Sequence, residues 1–146
     1  MIRAAAGEDL RELARIHASC FAKAWDEDAL DGMLKSPGII GLISSGGFAL
    51  ARVAADEAEI LTIAVEPASR RRGLGRALII EAASRAHAQG AGAIFLEVGL
   101  ANQAARALYE RLGFANVGTR KSYYEGGEDA LILKRDLPLA PVGDGR

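Results

Sequence analysis

From Glu8 to about Cys20, Leu10, Leu13, Ala14 and His17 recur at helical spacing with charges between them, which predicts a first amphipathic helix. Asp26 to Lys35 predicts a second, shorter helix that stops at Ser36-Pro37-Gly38. The pattern then changes period. Ile39 to Ile43 and Phe48 to Val53 are short apolar runs separated by Ser44-Ser45-Gly46-Gly47, the punctuation of a hairpin. After the turn at Ala55-Asp56-Glu57, Glu59 to Val65 extends the series by a third strand. Its Ile60-Leu61-Thr62-Ile63-Ala64-Val65 run is apolar on both pleat faces, as a strand covered on two sides would be.

The second half alternates element types. Leu74, Leu78, Ile79, Ala82, Ala83 and Ala86 keep a helical period up to Gln89-Gly90, and Ala93 to Val98 is again a nearly all-apolar strand. A strand, a helix and a strand in that order imply a parallel pair. Asn102 is placed to cap a further helix on which Ala105, Leu108, Tyr109 and Leu112 share one stripe, and Gly113 to end it. Two last strands are predicted around Ala115 to Lys121 and Ala130 to Lys134. The class is α+β (mixed α/β). With 146 residues, half of them apolar, the chain suits one domain, residues 1–137, followed by a flexible tail at 138–146.

Composition narrows the function. A formal net charge of −1 and a pI near 6.1 argue against a sequence-independent grip on nucleic acid, which needs a broadly basic face. The single Cys20 precludes an intramolecular disulfide, and Cys20, His17 and His87 have no zinc-ligand spacing, so no metal is expected. Neither a signal-peptide core nor an apolar run of membrane-spanning length is visible, so the expectation is a cytoplasmic protein without a membrane partner. The pattern sets no oligomeric state.

The basic residues matter locally, in Glu66-Pro67-Ala68-Ser69-Arg70-Arg71-Arg72-Gly73-Leu74-Gly75-Arg76. This stretch leaves a central strand and enters a helix, where unpaired N–H groups and the positive end of the helix dipole favour an anion. Gly73 and Gly75 let a phosphate approach the backbone. The plain alternative is an eased turn with solvated arginines, but cations gathered at a helix N-terminus cost stability unless an anion joins them. For a dinucleotide, Leu78 fills the third-glycine position and a meander precedes the unit, although Glu97 sits near the acidic place. No Gly-Lys-Ser/Thr follows, which removes a P-loop. The pyrophosphate of coenzyme A remains.

With Arg70-x-x-Gly73-x-Gly75 on a strand-to-helix turn, the sequence resembles the GNAT superfamily of N-acetyltransferases. Phe95-Leu96-Glu97-Val98 and the run from Asn102 through Ala107-Leu108-Tyr109-Glu110-Arg111-Leu112-Gly113-Phe114 extend the likeness. With Ile63-Ala64-Val65-Glu66-Pro67, and Tyr123-Tyr124 followed by Glu128-Asp129-Ala130, the chain is similar to the bacterial ribosomal-protein-alanine N-acetyltransferases. The resemblance implies a central mixed, mostly antiparallel twisted sheet flanked by about four helices, with acetyl-CoA as co-substrate. It further implies that the backbone of Ile63, Ala64 and Val65 pairs with the pantetheine arm and that Arg71, Arg72, Gly73, Leu74, Gly75 and Arg76 cradle the pyrophosphate. Asn102 would contact the coenzyme, Glu97 would be the general base and Tyr109 the general acid. The peptide groove would involve Trp25, Tyr123 and Tyr124. The sequence departs from the pattern at Gly99, where the similar enzymes commonly carry arginine.

Each of these residues also has a plainer reading. Glu97, the one charged side chain in an apolar strand, would equally form an ion pair with Arg106 or another arginine; Tyr109 would pack in its helical stripe; Asn102 would cap a helix. Glu59 suits a solvated strand entry as well as a substrate amine. Phe21, Trp25 and Met33 suit core packing as well as a groove, while His17, His87 and Cys20 read as structural or solvent-facing. The expected function is acetyl transfer to the N-terminal alanine of a small-subunit ribosomal protein by direct attack in a ternary complex, since Cys20 lies in the other half of the chain with no evident activating partner. The alternatives are acetylation of a small amine, a non-catalytic acyl-CoA-binding module, and dinucleotide binding.

Overall fold

The computed structural model describes residues 1–121 and 127–139. A two-residue strand, β1 (Arg3–Ala4), precedes α1 (Leu10–Cys20) and α2 (Glu27–Leu34). The first helix starts later than its pattern, because Gly7–Asp9 form a 3-10 turn. There the Asp9 carboxylate takes the Ala6 N–H at 2.8 Å and both ends of the Arg3 guanidinium. Asp26 caps α2 by accepting the Ala29 N–H at 2.8 Å.

The hairpin series is an antiparallel meander of β2 (Ile39–Ser44), β3 (Gly47–Ala54) and β4 (Glu57–Val65). The strand-helix-strand unit that follows is β4, α3 (Leu74–Ala88) and β5 (Ala93–Gly99), with β4 and β5 parallel as expected. The chain closes with α4 (Gln103–Arg111), β6 (Ala115–Arg120) and β7 (Ala130–Asp136), and the seven-stranded sheet runs β1-β2-β3-β4-β5-β7-β6. This is the mixed, mostly antiparallel sheet with four helices that the resemblance implies.

Two irregularities make room for a site. Leu50 pairs with Thr62 and Ala51 with Ile60, so Leu61 is an extra residue that reverses the alternation of β4. Before it, Ala58 and Ile60 pack in the cluster beneath α3; beyond it, Ala64 packs with Leu13, Ile16 and Leu30 of α1 and α2. That is why β4 reads as apolar on both faces. The second irregularity lies between β4 and β5, whose register covers only Glu57 to Glu59 against Ala93 to Phe95. Past that point the parallel strands have no common ladder, and the sheet opens at its centre.

At the C-terminal end the Leu137 N–H donates to the Gly92 carbonyl at 2.9 Å, and Leu137 and Leu139 pack half-buried against the core. Leu139 belongs to the stretch expected to be a tail; residues 140–146 lie outside the described residues, as do Tyr123 and Tyr124. Among the described residues no helix is long and apolar enough to cross a membrane.

Candidate active site

Where β4 and β5 part, a cavity of about 540 Å³ opens. Ile60 to Ile63 form one wall and Leu96 to Gly99 the other, Asn102 and Tyr109 reach in from α4 and its cap, and Phe21, Trp25 and Met33 close the α1–α2 side. A smaller cavity of about 350 Å³ shares Arg52, Glu59, Leu96 and Glu97 and adds Phe95, Arg120 and Ile132. Glu97 therefore stands on the partition between the two.

Strand alternation explains its place. Leu96 and Val98 are buried in the cluster under α3 and α4, so Glu97 faces the opposite side of β5. Its side chain is 16% exposed, and Oε1 lies 2.8 Å from Arg120 Nη2. Oε2 is buried and has no hydrogen-bond partner among the described residues. The ion pair expected for Glu97 is present, but Arg106 does not form it: Arg106 Nη1 donates instead to the Leu100 carbonyl at 2.8 Å. Gly99 pairs across the sheet with Ala130 and Ala130 with Arg120, which sets Arg120 one row from Glu97 on the same face. Arg106, on α4, reaches back to its own preceding turn. Sequence spacing could not supply that cross-strand neighbour.

The two α4 residues satisfy both of their readings. The Tyr109 ring lies 5.9 Å from that of Phe114 and also lines the cavity. Asn102 Oδ1 accepts the Ala105 N–H at 3.2 Å, capping the helix, and Asn102 borders the same space. Glu59 is exposed at the rim, its carboxylate 3.8 Å from Arg52.

The basic loop keeps its predicted position. Arg71 has φ +67 and Gly73 φ +78, both left-handed, and Gly73 stands at the N-terminus of α3 with no side-chain cap. A Cβ added to Gly73 would meet nothing within 4 Å, so this backbone faces open space. A Cβ at Gly75 would make ordinary contacts, 3.8 Å from Leu108 Cδ2 and 3.9 Å from Val65 Cγ2, and the Leu74 side chain packs on the core. Arg71 and Arg72 are exposed and Arg76 half-buried, and among the described residues none of the three has an ion-pair partner. Arg70 is turned back, its Nε donating to the Val65 carbonyl at 2.8 Å. Ile63 lines the cavity, Ala64 is buried beneath α1, and Val65 ends the strand at this loop.

Two residues read as structural or solvent-facing have contacts that spacing did not show. His17 is a cavity-lining residue, buried, with its ring stacked between Phe21 at 4.4 Å and Trp25 at 4.7 Å. Its Nδ1 accepts the Trp25 N–H at 3.1 Å, and burial pushes its pKa below the usual histidine value. The spacing of four between His17 and Phe21 was the available signal. Cys20, distant in sequence, is brought by the fold to the end of β4, where Sγ lies 3.3 Å from the Val65 carbonyl and 3.6 Å from Arg70 Nη2.

The sequence matches the acetyltransferase (GNAT) family over residues 6–114. It is 44% identical over 96 residues to the ribosomal protein bS18-alanine N-acetyltransferase of Escherichia coli K12, and in that match it spans 64% of the relative's length. Over 140 residues it is 37% identical to the N-alpha-acetyltransferase RimI of Mycobacterium tuberculosis, covering 88% of this chain and 87% of that one. The crystal structure of the E. coli ribosomal-protein alanine N-acetyltransferase superposes with a TM-score of 0.84 at 33% identity, covering 97% of this chain and 96% of the other. Arabidopsis thaliana NAA60 in complex with acetyl-CoA shares the fold at a TM-score of 0.82 and 20% identity, covering 94% and 99%.

Proposed function

Because the chain belongs to the acetyltransferase (GNAT) family, we propose that it is an acetyl-CoA-dependent N-acetyltransferase of the bacterial cytoplasm. Its acceptor in this reading is the N-terminal alanine of a small-subunit ribosomal protein. The observation that carries the proposal is Glu97, which lines the cavity with Tyr109 and Asn102 and has one buried carboxylate oxygen with no hydrogen-bond partner among the described residues. Names of relatives favour the alanine acceptor.

The residues present suit the coenzyme. Three arginines that have no carboxylate partner among the described residues stand beside a helix N-terminus without a side-chain cap, and Gly73 opens its backbone to whatever sits there. Arg71, Arg72 and Arg76, with the backbone of Gly73, Leu74 and Gly75, would hold the pyrophosphate, and Ile63 to Val65 with Asn102 the pantetheine arm. When bound, acetyl-CoA supplies the activated acetyl thioester that the acceptor amine attacks directly in the ternary complex.

Glu97 accepts the proton that the amine must lose. An α-amino group titrates near pH 8, so only a modest driving force is needed. Arg120 fixes one carboxylate oxygen and leaves the other for this work. Tyr109 donates a proton to the departing sulfur. Phe21, Trp25 and His17 give the acceptor side an aromatic wall, and residues 1–137 form the transferase unit.

Release of free coenzyme thiol, measured with peptides beginning Ala-Arg, Ser or Met, a blocked peptide, spermidine and an aminoglycoside, tests the reading. Turnover on free N-termini led by alanine supports it. Turnover confined to small amines moves the function to that acceptor class, and tight acetyl-CoA binding without turnover leaves a binding module.

A further inference from the structure

Gly99 ends β5 two residues after Glu97, on the same face of the strand and on the wall of the same cavity. It is buried, and a Cβ built on it would stand 2.9 Å from Glu128 Oε2 and 3.2 Å from the Glu128 carboxyl carbon. A side chain at this position is accommodated only if the Glu128 carboxylate, the far end of a flexible side chain, moves aside. The Glu128 carboxylate therefore fills the volume that a side chain at position 99 would take.

That carboxylate also makes a directed bond. Oε2 accepts the Ala101 N–H at 2.8 Å. Beside it the Leu100 N–H donates to the Asp129 carbonyl at 3.0 Å, and the Asn102 N–H returns to the Gly99 carbonyl at 3.0 Å. The turn 99–102 is thus gripped from one side by residues 128 and 129, and from the other it runs into α4 through the Asn102 cap. Glu97 lies at one end of this turn. The helix that carries Tyr109 starts at the other.

We propose that Glu128 is a positioning residue for acetyl transfer: by occupying the side-chain space of Gly99 and binding the Ala101 N–H, it fixes the turn that holds Asn102 and Tyr109 against Glu97. The proposal rests on the acetyltransferase reading above. Its physical basis is that reacting groups on two separate elements lose rate steeply when their spacing shifts by about 1 Å, so the short connection between them must not move. A carboxylate accepting a backbone N–H in a half-buried place gives a stronger hold than a neutral acceptor would.

The test uses the full chain with Glu128→Ala, Glu128→Gln, Gly99→Ala and the double variant Gly99→Ala/Glu128→Ala. Four readouts apply: kcat, KM for the acceptor peptide, acetyl-CoA affinity by calorimetry, and hydrogen exchange of the Ala101 amide. Glu128→Ala should lower kcat about tenfold, the loss of one hydrogen bond to a charged group, and leave the acceptor KM within about twofold. Glu128→Gln, which keeps an oxygen for Ala101 and similar volume, should recover to within about threefold of the unsubstituted chain. Gly99→Ala should lower kcat by no more than Glu128→Ala does, because the flexible carboxylate moves aside and gives up its bond to Ala101, and it should add little once Glu128 is alanine. Ala101 exchange should quicken in Glu128→Ala and not in Glu128→Gln.

An unchanged kcat in Glu128→Ala, a Gln variant no better than Ala, or losses that multiply in the double variant would each overturn the proposal. If the unsubstituted chain acetylates no acceptor, the functional reading fails on its own. Ala101 exchange and acetyl-CoA affinity then decide whether Glu128 holds the turn: both unchanged in Glu128→Ala refutes it, and both altered, with recovery in Glu128→Gln, supports it.

Discussion

Arg120 binds one oxygen of Glu97 at 2.8 Å and leaves the other buried on the cavity wall, with no hydrogen-bond partner among the described residues. An ion pair made only for stability would bring both oxygens to donors, since an unsatisfied buried acceptor costs about 1–3 kcal/mol. The half-satisfied carboxylate suits a group that meets its second partner when substrate binds. Glu97→Gln should reduce kcat by roughly 10²–10⁴, the usual span for a positioned base. Arg120→Met, which frees the carboxylate to turn, should cost about tenfold in kcat. Steady-state kinetics on the alanine peptide check both, and equal, small effects would return Glu97 to a structural role.

Tyr109 separates packing from chemistry. Its ring is held near Phe114, so Tyr109→Phe keeps the apolar contact and removes only the hydroxyl. The far-UV spectrum should not change, while kcat should fall about a hundredfold as a proton donor is lost. Full activity in the variant would leave the tyrosine a packing residue.

The basic loop before α3 stores strain at a side chain where glycine would be easier. Arg71 sits at φ +67, a conformation that costs an ordinary residue roughly 1–2 kcal/mol. Arg71→Gly should therefore leave Tm unchanged or slightly raised, while it increases KM for acetyl-CoA about tenfold and weakens the salt dependence of that KM. A lowered Tm with unaltered KM would show that the arginine serves the fold and not the anion.

Much of this arrangement is legible in the chain. Element types follow from periodicity, and the Asn102 cap, the parallel β4–β5 pair and the loop before α3 need only local rules. What local rules omit is lateral. The extra residue at Leu61 is set by the register against Leu50 and Ala51, and no feature of the Ile60 to Val65 run announces it. Arg120 and Glu128 reach β5 across β7 or from its entry, so their partners Glu97 and Gly99 are invisible to spacing along one element. Cys20 meets Arg70 for the same reason. His17 was legible in part, as a helical neighbour of Phe21, but its second stacking partner Trp25 comes from the connection to α2.

Asp9 gives the fold an acid limit. The paired Arg3 guanidinium, aided by the Ala6 N–H, lowers its pKa to about 2. A carboxylate depressed in the folded state contributes stability above its ordinary value near 4 and loses it as pH falls toward 2. Asp9→Asn should flatten the fall in Tm across that interval and lower Tm at neutral pH. A parallel fall in both proteins would remove Asp9 as a cause.

His17 governs a higher window. Burial lowers its pKa, and the unprotonated Nδ1 is the acceptor for the Trp25 N–H, so the folded protein holds a neutral ring. The unfolded chain binds its proton near pH 6.5, and the folded chain resists it. Stability from this corner is therefore complete above about pH 6.5 and is lost as pH falls below that value toward the folded pKa. Protonation of the folded ring would also break the contact that shapes the Phe21–His17–Trp25 wall, so the KM for peptide should rise only as pH falls through the folded pKa, at the low end of that window and beyond it, while the KM for acetyl-CoA stays level. His17→Phe keeps the stack but strands the Trp25 N–H, which lowers Tm at every pH and removes its dependence below about pH 6.5. Thermal melts and peptide KM measured at half-unit steps decide the matter: a flat profile in the unsubstituted chain, or an unchanged slope in His17→Phe, would show that some other group titrates there.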